Sequence, residues 1–157
     1  MIKIYYWSPF FSDIATTKAV LNSVLSVKKY SNKKYNPVII DVFGEWNKYE
    51  TLIKKNNIEV IKLRLDKYFK KKEINGFFLS RYYQLKIILL AFIPLYKVLK
   101  NNSPDVIILH LVTSLPLLLN FLFNFKTKFI LRISGLPKLN FLRMLFWNIV
   151  LKKIKFI

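Results

Sequence analysis

Cysteine is missing from this 157-residue chain, and histidine occurs once, as His110. The first absence excludes disulfides, thiolate nucleophiles and cysteine-based zinc or iron–sulfur sites. The second rules out a two-histidine metal site, so neither a metal nor a cofactor is expected. Glycine stands only at Gly44, Gly76 and Gly135. A dinucleotide fingerprint needs three glycines in one short loop and a phosphate loop needs two, so neither can form. This argues against a nicotinamide- or ATP-dependent enzyme. Acid is scarce as well: eight Asp and Glu face 27 Lys and Arg, a formal charge of +19. The acids read as singly scattered, with no paired-carboxylate motif. Asp41 and Glu45 fall near the end of an apolar run, where a ribose-binding acid could lie. Without the glycines, Glu45 reads instead as a helix start.

The positive excess implies an anionic partner: a membrane surface, a phosphorylated ligand or nucleic acid. It is also what a Lys-, Asn- and Ile-rich coding bias leaves on solvated faces. A nucleic-acid arm would be polar and rich in Gly or Arg, whereas this chain is 54% hydrophobic and 17% aromatic. No nucleic-acid partner is therefore expected. The first thirteen residues, MIKIYYWSPFFSD, do not read as a signal peptide, because Pro9 breaks a short apolar stretch and no small-residue cleavage site follows.

Along the chain, apolar runs alternate with helical periods. Strands are expected at Ile2–Trp7, Pro37–Phe43, Ile58–Leu63, Asp105–Leu111 and Lys128–Ile133, and Lys155-Phe156-Ile157 could begin a sixth. Helices are expected at Thr17–Tyr30, Trp46–Asn56 (with Tyr49, Leu52 and Ile53 inward), Phe77–Leu99 kinked at Pro94, Leu115–Phe125 and Leu139–Leu151. Such alternation predicts an α/β domain: a Rossmann-like, mostly parallel sheet in the order 3-2-1-4-5, with helices on both faces. One domain over residues 1–157 is expected. Val106–Phe125 carries no charge over a spanning length. Its His, Thr, Ser, Pro and Asn residues split it into strand, turn and helix instead. Ile87–Tyr96 is too short to span.

In an open parallel sheet, ligands bind beyond the carboxyl ends of the strands, at the switch point. Three segments of this chain meet there. Ser8, Asp13, Thr16 and Thr17 follow the first strand; His110, Thr113 and Ser114 end the fourth; Arg132, Ser134, Gly135 and Lys138 end the fifth. Each has a plainer reading. His110 would serve equally as a satisfied core histidine, and Thr16-Thr17 as a helix cap. Arg132, inside an apolar strand, calls for a carboxylate, carbonyl or phosphate partner.

The segments SPFFSDIATTKAVLNS, PDVIILHL and RISGLPKLNFLRMLFW, in this order and spacing, resemble the amino-terminal domain of family-four glycosyltransferases. The likeness is to bacterial enzymes of cell-surface polysaccharide assembly, which have the two-domain GT-B fold. It covers nearly all of this chain but only the first half of such an enzyme. The resemblance implies a retaining, metal-independent transfer from a nucleotide-sugar. It implies a sugar or lipid-linked acceptor held on this half, and a nucleotide-sugar bound only with a second, carboxy-terminal domain or subunit. Asp13, Thr16 and Thr17 would then touch the acceptor, with Ser8, His110, Arg132, Ser134 and Gly135 lining the cleft. The family's glycine pair is replaced here by Phe11-Ser12-Asp13, and its histidine after the fifth strand by Arg132-Ile133-Ser134-Gly135. No residue therefore inherits a catalytic role. A fragment inactive alone, a subunit of a split enzyme, the product of a shortened reading frame and a basic nucleic-acid module stay open as alternatives.

The last expected helix sets Phe141, Leu145, Phe146 and Trp147 beside Lys152 and Lys153. That mixture suits contact with an anionic membrane, and a cytoplasmic, peripheral location. It suits equally an apolar face that meets another domain.

Overall fold

The computed structural model describes residues 1–11, 15–69, 77–110, 115–132 and 141–151. The expected alternation forms. Strand β1 (Ile2–Trp7) leads to helix α1 (Ala15–Tyr30), β2 (Tyr35–Asp41), α2 (Glu50–Lys55) and β3 (Glu59–Lys62). Helix α3 (Phe77–Asn102), β4 (Val106–His110), α4 (Leu115–Phe123), β5 (Lys128–Arg132) and α5 (Phe141–Leu151) follow. The five strands pair in the order β3-β2-β1-β4-β5, every pairing parallel. The expected class and order are both present. A sixth strand at residues 155–157 lies outside the described residues.

Alternate side chains of the central strands feed two cores. Tyr5, Trp7, Val38, Ile40, Ile107 and Leu109 pack under Ile87, Ala91, Leu95 and Leu99 of α3 and Leu115, Leu117 and Leu119 of α4. Tyr6 and Ile39, on the other face, meet Val20, Leu21 and Val24 of α1 and Ile53 of α2. Strands covered on both faces are near-continuously apolar, which is why IKIYYW and VIILH show little alternation.

Scarcity of glycine shapes the helix ends. A left-handed residue usually closes a helix, and glycine takes it most cheaply. Here Asn32, Asn57, Ser103 and Asn124 hold positive φ just beyond α1, α2, α3 and α4. Asparagine tolerates that region better than most residues.

Two local expectations differ from the structure. Leu52, expected inward, is 40% exposed. Residues Asn47–Tyr49 wind as a 3-10 turn before a six-residue α2, and this change of period turns Ile53 rather than Leu52 inward. Helix α3 extends to Asn102 with Pro94 inside it, so the segment is longer than Ile87–Tyr96 suggests. By length and composition α3 could cross a bilayer, although one side of it packs in the core.

Candidate functional site

The carboxyl ends of β1, β4 and β5 form one edge of the sheet. Ser8 follows β1 directly and is 1% exposed. Thr17, in the first turn of α1, is equally buried, and Thr16 beside it is half-buried. His110 ends β4, stacks on Tyr6 with ring centroids 6.0 Å apart, and pairs in register with Arg132 of β5. Among the described residues, Ser8 Oγ, Thr17 Oγ1 and His110 Nε2 are buried without a hydrogen-bond partner. Unpaired buried polar atoms are rare and costly, and each calls for a cause. Three of the six such atoms among the described residues lie at this one edge of the parallel sheet, beside the start of a helix; the others are Ser31 Oγ, Trp46 Nε1 and Asn120 Oδ1.

Burial foremost, and then the Arg132 guanidinium, holds the His110 imidazole down at about 4 from its ordinary 6.5. At neutral pH it is therefore uncharged, a hydrogen-bonding group and not an anion-binding cation. Burial raises the Tyr6 phenol, partly offset by its 3.2 Å hydrogen bond with Ser23. Among the described residues, the fixed charge at this edge belongs to Arg132.

Arg132 is exposed, contrary to its expected setting inside an apolar strand. It ends β5, the last strand of the sheet among the described residues, where Ile130 is exposed as well. Water can solvate its charge, so it needs no buried counterion. Thr16, Thr17, Ser8, His110 and Arg132 thus lie at one sheet edge. Asp13, Thr113, Ser114, Ser134, Gly135 and Lys138 lie outside the described residues.

Trp147 is expected among the membrane-facing residues, and the structure corrects this. It is 8% exposed and joins the core beneath α4. Phe141 and Leu145 are exposed as expected. Two residues along a helix turn the chain by about 200°, so Leu145 and Trp147 must take opposite sides. The side chain of Phe146, and all of Lys152 and Lys153, lie outside the described residues.

A second feature is not apparent in the sequence. Glu45 and Asp41, which read as single acids, meet in a hydrogen bond between their side chains. The Glu45 carboxyl also accepts from Val42 N (3.0 and 3.1 Å) and Phe43 N (2.8 Å), while Asp41 Oδ1 accepts from Gly44 N at 2.8 Å. Gly44 sits at φ +88, a conformation that costs other residues more. Glu45 therefore closes the turn after β2 and does not start a helix. Burial first, then Asp41, pushes the Glu45 carboxyl well above its ordinary 4.5. Two adjacent buried carboxyls resist ionising together, which favours a protonated Glu45. Asp41, Gly44, Lys62, Arg64 and Phe69 line a cavity of about 490 Å³ beside it. The available signal is the spacing of Asp41, Gly44 and Glu45 across a strand end. Among the described residues no group of three His, Cys, Asp or Glu could hold a metal ion.

No protein-family model and no curated protein sequence matches this chain. Solved structures do match. A UDP-GlcNAc 2-epimerase from Neisseria meningitidis, bound to UDP-GlcNAc, superposes with a TM-score of 0.51 over 87% of this chain at 11% identity. A putative UDP-N-acetylglucosamine 2-epimerase from Listeria monocytogenes gives 0.56 over 98% at 12% identity. The domain shares the Rossmann-like α/β fold of these two structures. It spans 33% and 37% of those two chains, so about a third of each. At such identity the likeness is one of fold alone.

Proposed function

We propose that this chain is the acceptor-side domain of a nucleotide-sugar glycosyltransferase of cell-surface glycan assembly, working with a second, donor-binding domain or subunit. The observation that carries it is the trio of buried, unpartnered Ser8 Oγ, Thr17 Oγ1 and His110 Nε2 at the switch-point edge. Two hydroxyls and an uncharged imidazole match the hydroxyls of a sugar, which both donate and accept. Asp13, Thr16 and Thr17 would hold that acceptor. Ser8, His110, Ser134 and Gly135 would line the cleft, and Arg132 at the rim would face a phosphate of a lipid-linked acceptor or of the donor. No step needs a metal. The donor's leaving phosphate would be stabilised by cations and helix starts. The fold likeness is shared by epimerases and transferases, and the transferase reading rests on the sequence resemblance.

Ligand-observed NMR on the chain separates the possibilities. A soluble prenyl-phosphate-linked sugar should receive saturation at its sugar protons, weakened by His110→Gln. UDP-GlcNAc should receive little without a donor-binding partner. Strong saturation of the uridine protons by the chain alone would place the donor here and refute the acceptor assignment. In the complete enzyme, Asp13→Ala or Arg132→Ala should slow transfer, and unchanged rates would remove those residues from the site.

A further inference from the structure

The two helical layers of this sheet present different exteriors. Helix α1 turns Lys18, Asn22, Ser26 and Lys29 outward, a solvated face. Helix α3 turns out Phe78, Tyr82, Leu85, Leu89 and Ile93, which are 86, 58, 56, 68 and 62% exposed. Their spacings of four, three, four and four residues hold them on one stripe of the helix. The opposite side, Ile87, Ala91, Leu95 and Leu99, is packed in the core. Helices α4 and α5 cover the same sheet face and extend the apolar exterior with Leu122 and Phe123, then Met144 and Ile149. Isolated exposed apolar residues are ordinary, but a stripe of five on one helix, with more on the helices beside it, marks a contact surface.

Charge selects the occupant. No Asp or Glu occurs in α3, α4 or α5, and after Glu73 the sequence holds one acid, Asp105. Arg81, Lys86, Lys97 and Lys100 lie along α3. Lys100 Nζ lies over the Tyr96 ring, 5.5 Å from its centroid; a lysine can lay its stem on apolar surface and keep its charge in water. A second copy would bring two acid-free faces of a +19 chain together, which like charges oppose. RNA would engage the cations and leave the Leu and Ile stripe in water. An anionic lipid surface takes both, with aliphatic side chains in the acyl boundary and Lys and Arg at the headgroups.

We infer that the exterior of α3, and not α5 alone, is a docking surface for an anionic bilayer, with α3 lying in the plane of the interface. The core-facing side of α3 fixes this orientation. A helix about 39 Å long that packs one side against a sheet cannot surround itself with lipid. The docking face is independent of the sugar-site reading, since it lies on a flank of the sheet and not at its carboxyl edge.

The chain has no native cysteine, so a single environment-sensitive fluorophore can be placed at will. On phosphatidylglycerol-rich vesicles, a label on Leu89→Cys should shift to the blue and be quenched by brominated lipid. The same label on Ser26→Cys of α1 should do neither. Pure phosphatidylcholine vesicles should bind less, and added salt should weaken the anionic binding. Replacing exposed Leu85, Leu89 and Ile93 by Gln should lower vesicle affinity by about tenfold or more, with circular dichroism and melting temperature unchanged. The inference is overturned if the native chain ignores anionic vesicles, if the labels at 89 and 26 respond alike, or if the substituted chain binds as before. A dimer in sedimentation velocity that the substitutions dissolve would also overturn it, because the face would belong to a second copy.

Discussion

His110 offers an unambiguous test of the candidate site, because it is the only histidine in the chain. Its carbon-bound ring protons can be followed by NMR without an assignment problem. Burial, with Arg132 across the register, sets its pKa at about 4 against an ordinary 6.5. Above pH 6.5 the ring is neutral in both folded and unfolded chains. Between 6.5 and 4 the unfolded chain binds a proton that the folded chain refuses. Stability present above 6.5 is therefore lost as pH falls through this window. At about 1.4 kcal/mol per unit the interval is worth at most about 3.5 kcal/mol. Arg132 is exposed, so solvent screens its share and roughly 2 kcal/mol is the expected loss. Urea unfolding of the native chain and of His110→Gln, compared at neutral pH and at the acid end of the window, should differ by that amount. A ring that titrates near 6.5, or equal acid sensitivity of the two chains, would refute the buried neutral imidazole.

Glu45 should behave in the opposite sense. Its folded pKa is raised, so its stabilising proton is fully present below about 4.5 and is lost as pH rises through the folded value. Glu45→Gln keeps a donor toward Asp41 and should flatten the decline of stability with rising pH, by about 1.4 kcal/mol per unit inside the window. An unchanged slope would contradict the raised Glu45 carboxyl. Leu95 and Leu89 lie on opposite sides of α3, one buried and one exposed. Leu95→Ala should cost about 2–5 kcal/mol in urea unfolding, and Leu89→Ala within about 0.5 kcal/mol of nothing. Equal costs would contradict the orientation of α3.

Much of the fold is legible from local patterns. Each strand is a short apolar run and each helix a longer periodic one, and handed crossovers leave few ways to order them. Ser8 and His110 are legible for the same reason, as polar residues that close the apolar runs of β1 and β4. What escapes depends on phase or on meeting across a turn. Trp147 belongs to an aromatic-rich helix whose sequence is apolar nearly all round, so periodicity alone does not say which side the sheet takes. Leu52 is displaced by a 3-10 turn that no residue type announces. Asp41 and Glu45 are four apart, a spacing that reads as two independent acids until the chain reverses at Gly44. Arg132 looks buried because its neighbours are apolar, but it closes β5, the last strand among the described residues, and is exposed there.

The missing glycines and the unpaired buried atoms bear on one question from opposite sides. A loop that cradles a phosphate does so with backbone N–H groups brought close by glycine, and the segment SPFF after β1 has no glycine to do it. The same edge instead holds two hydroxyls and a neutral imidazole that are already dehydrated, so a polyol placed there regains hydrogen bonds that folding removed. Among the described residues an anion placed there would meet no buried cation, because the Arg132 charge stands at the solvated rim. On the proposed function the two ligand chemistries are thus separated in space: hydroxyls at the ends of β1 and β4, phosphate outward of β5. Affinity for a phosphate-linked sugar should then split accordingly. Arg132→Ala should weaken the phosphorylated ligand and leave the free sugar nearly unaffected, while His110→Gln should weaken both. If isothermal titration shows Arg132→Ala weakening the free sugar as strongly as the phosphorylated one, the two chemistries are not separated.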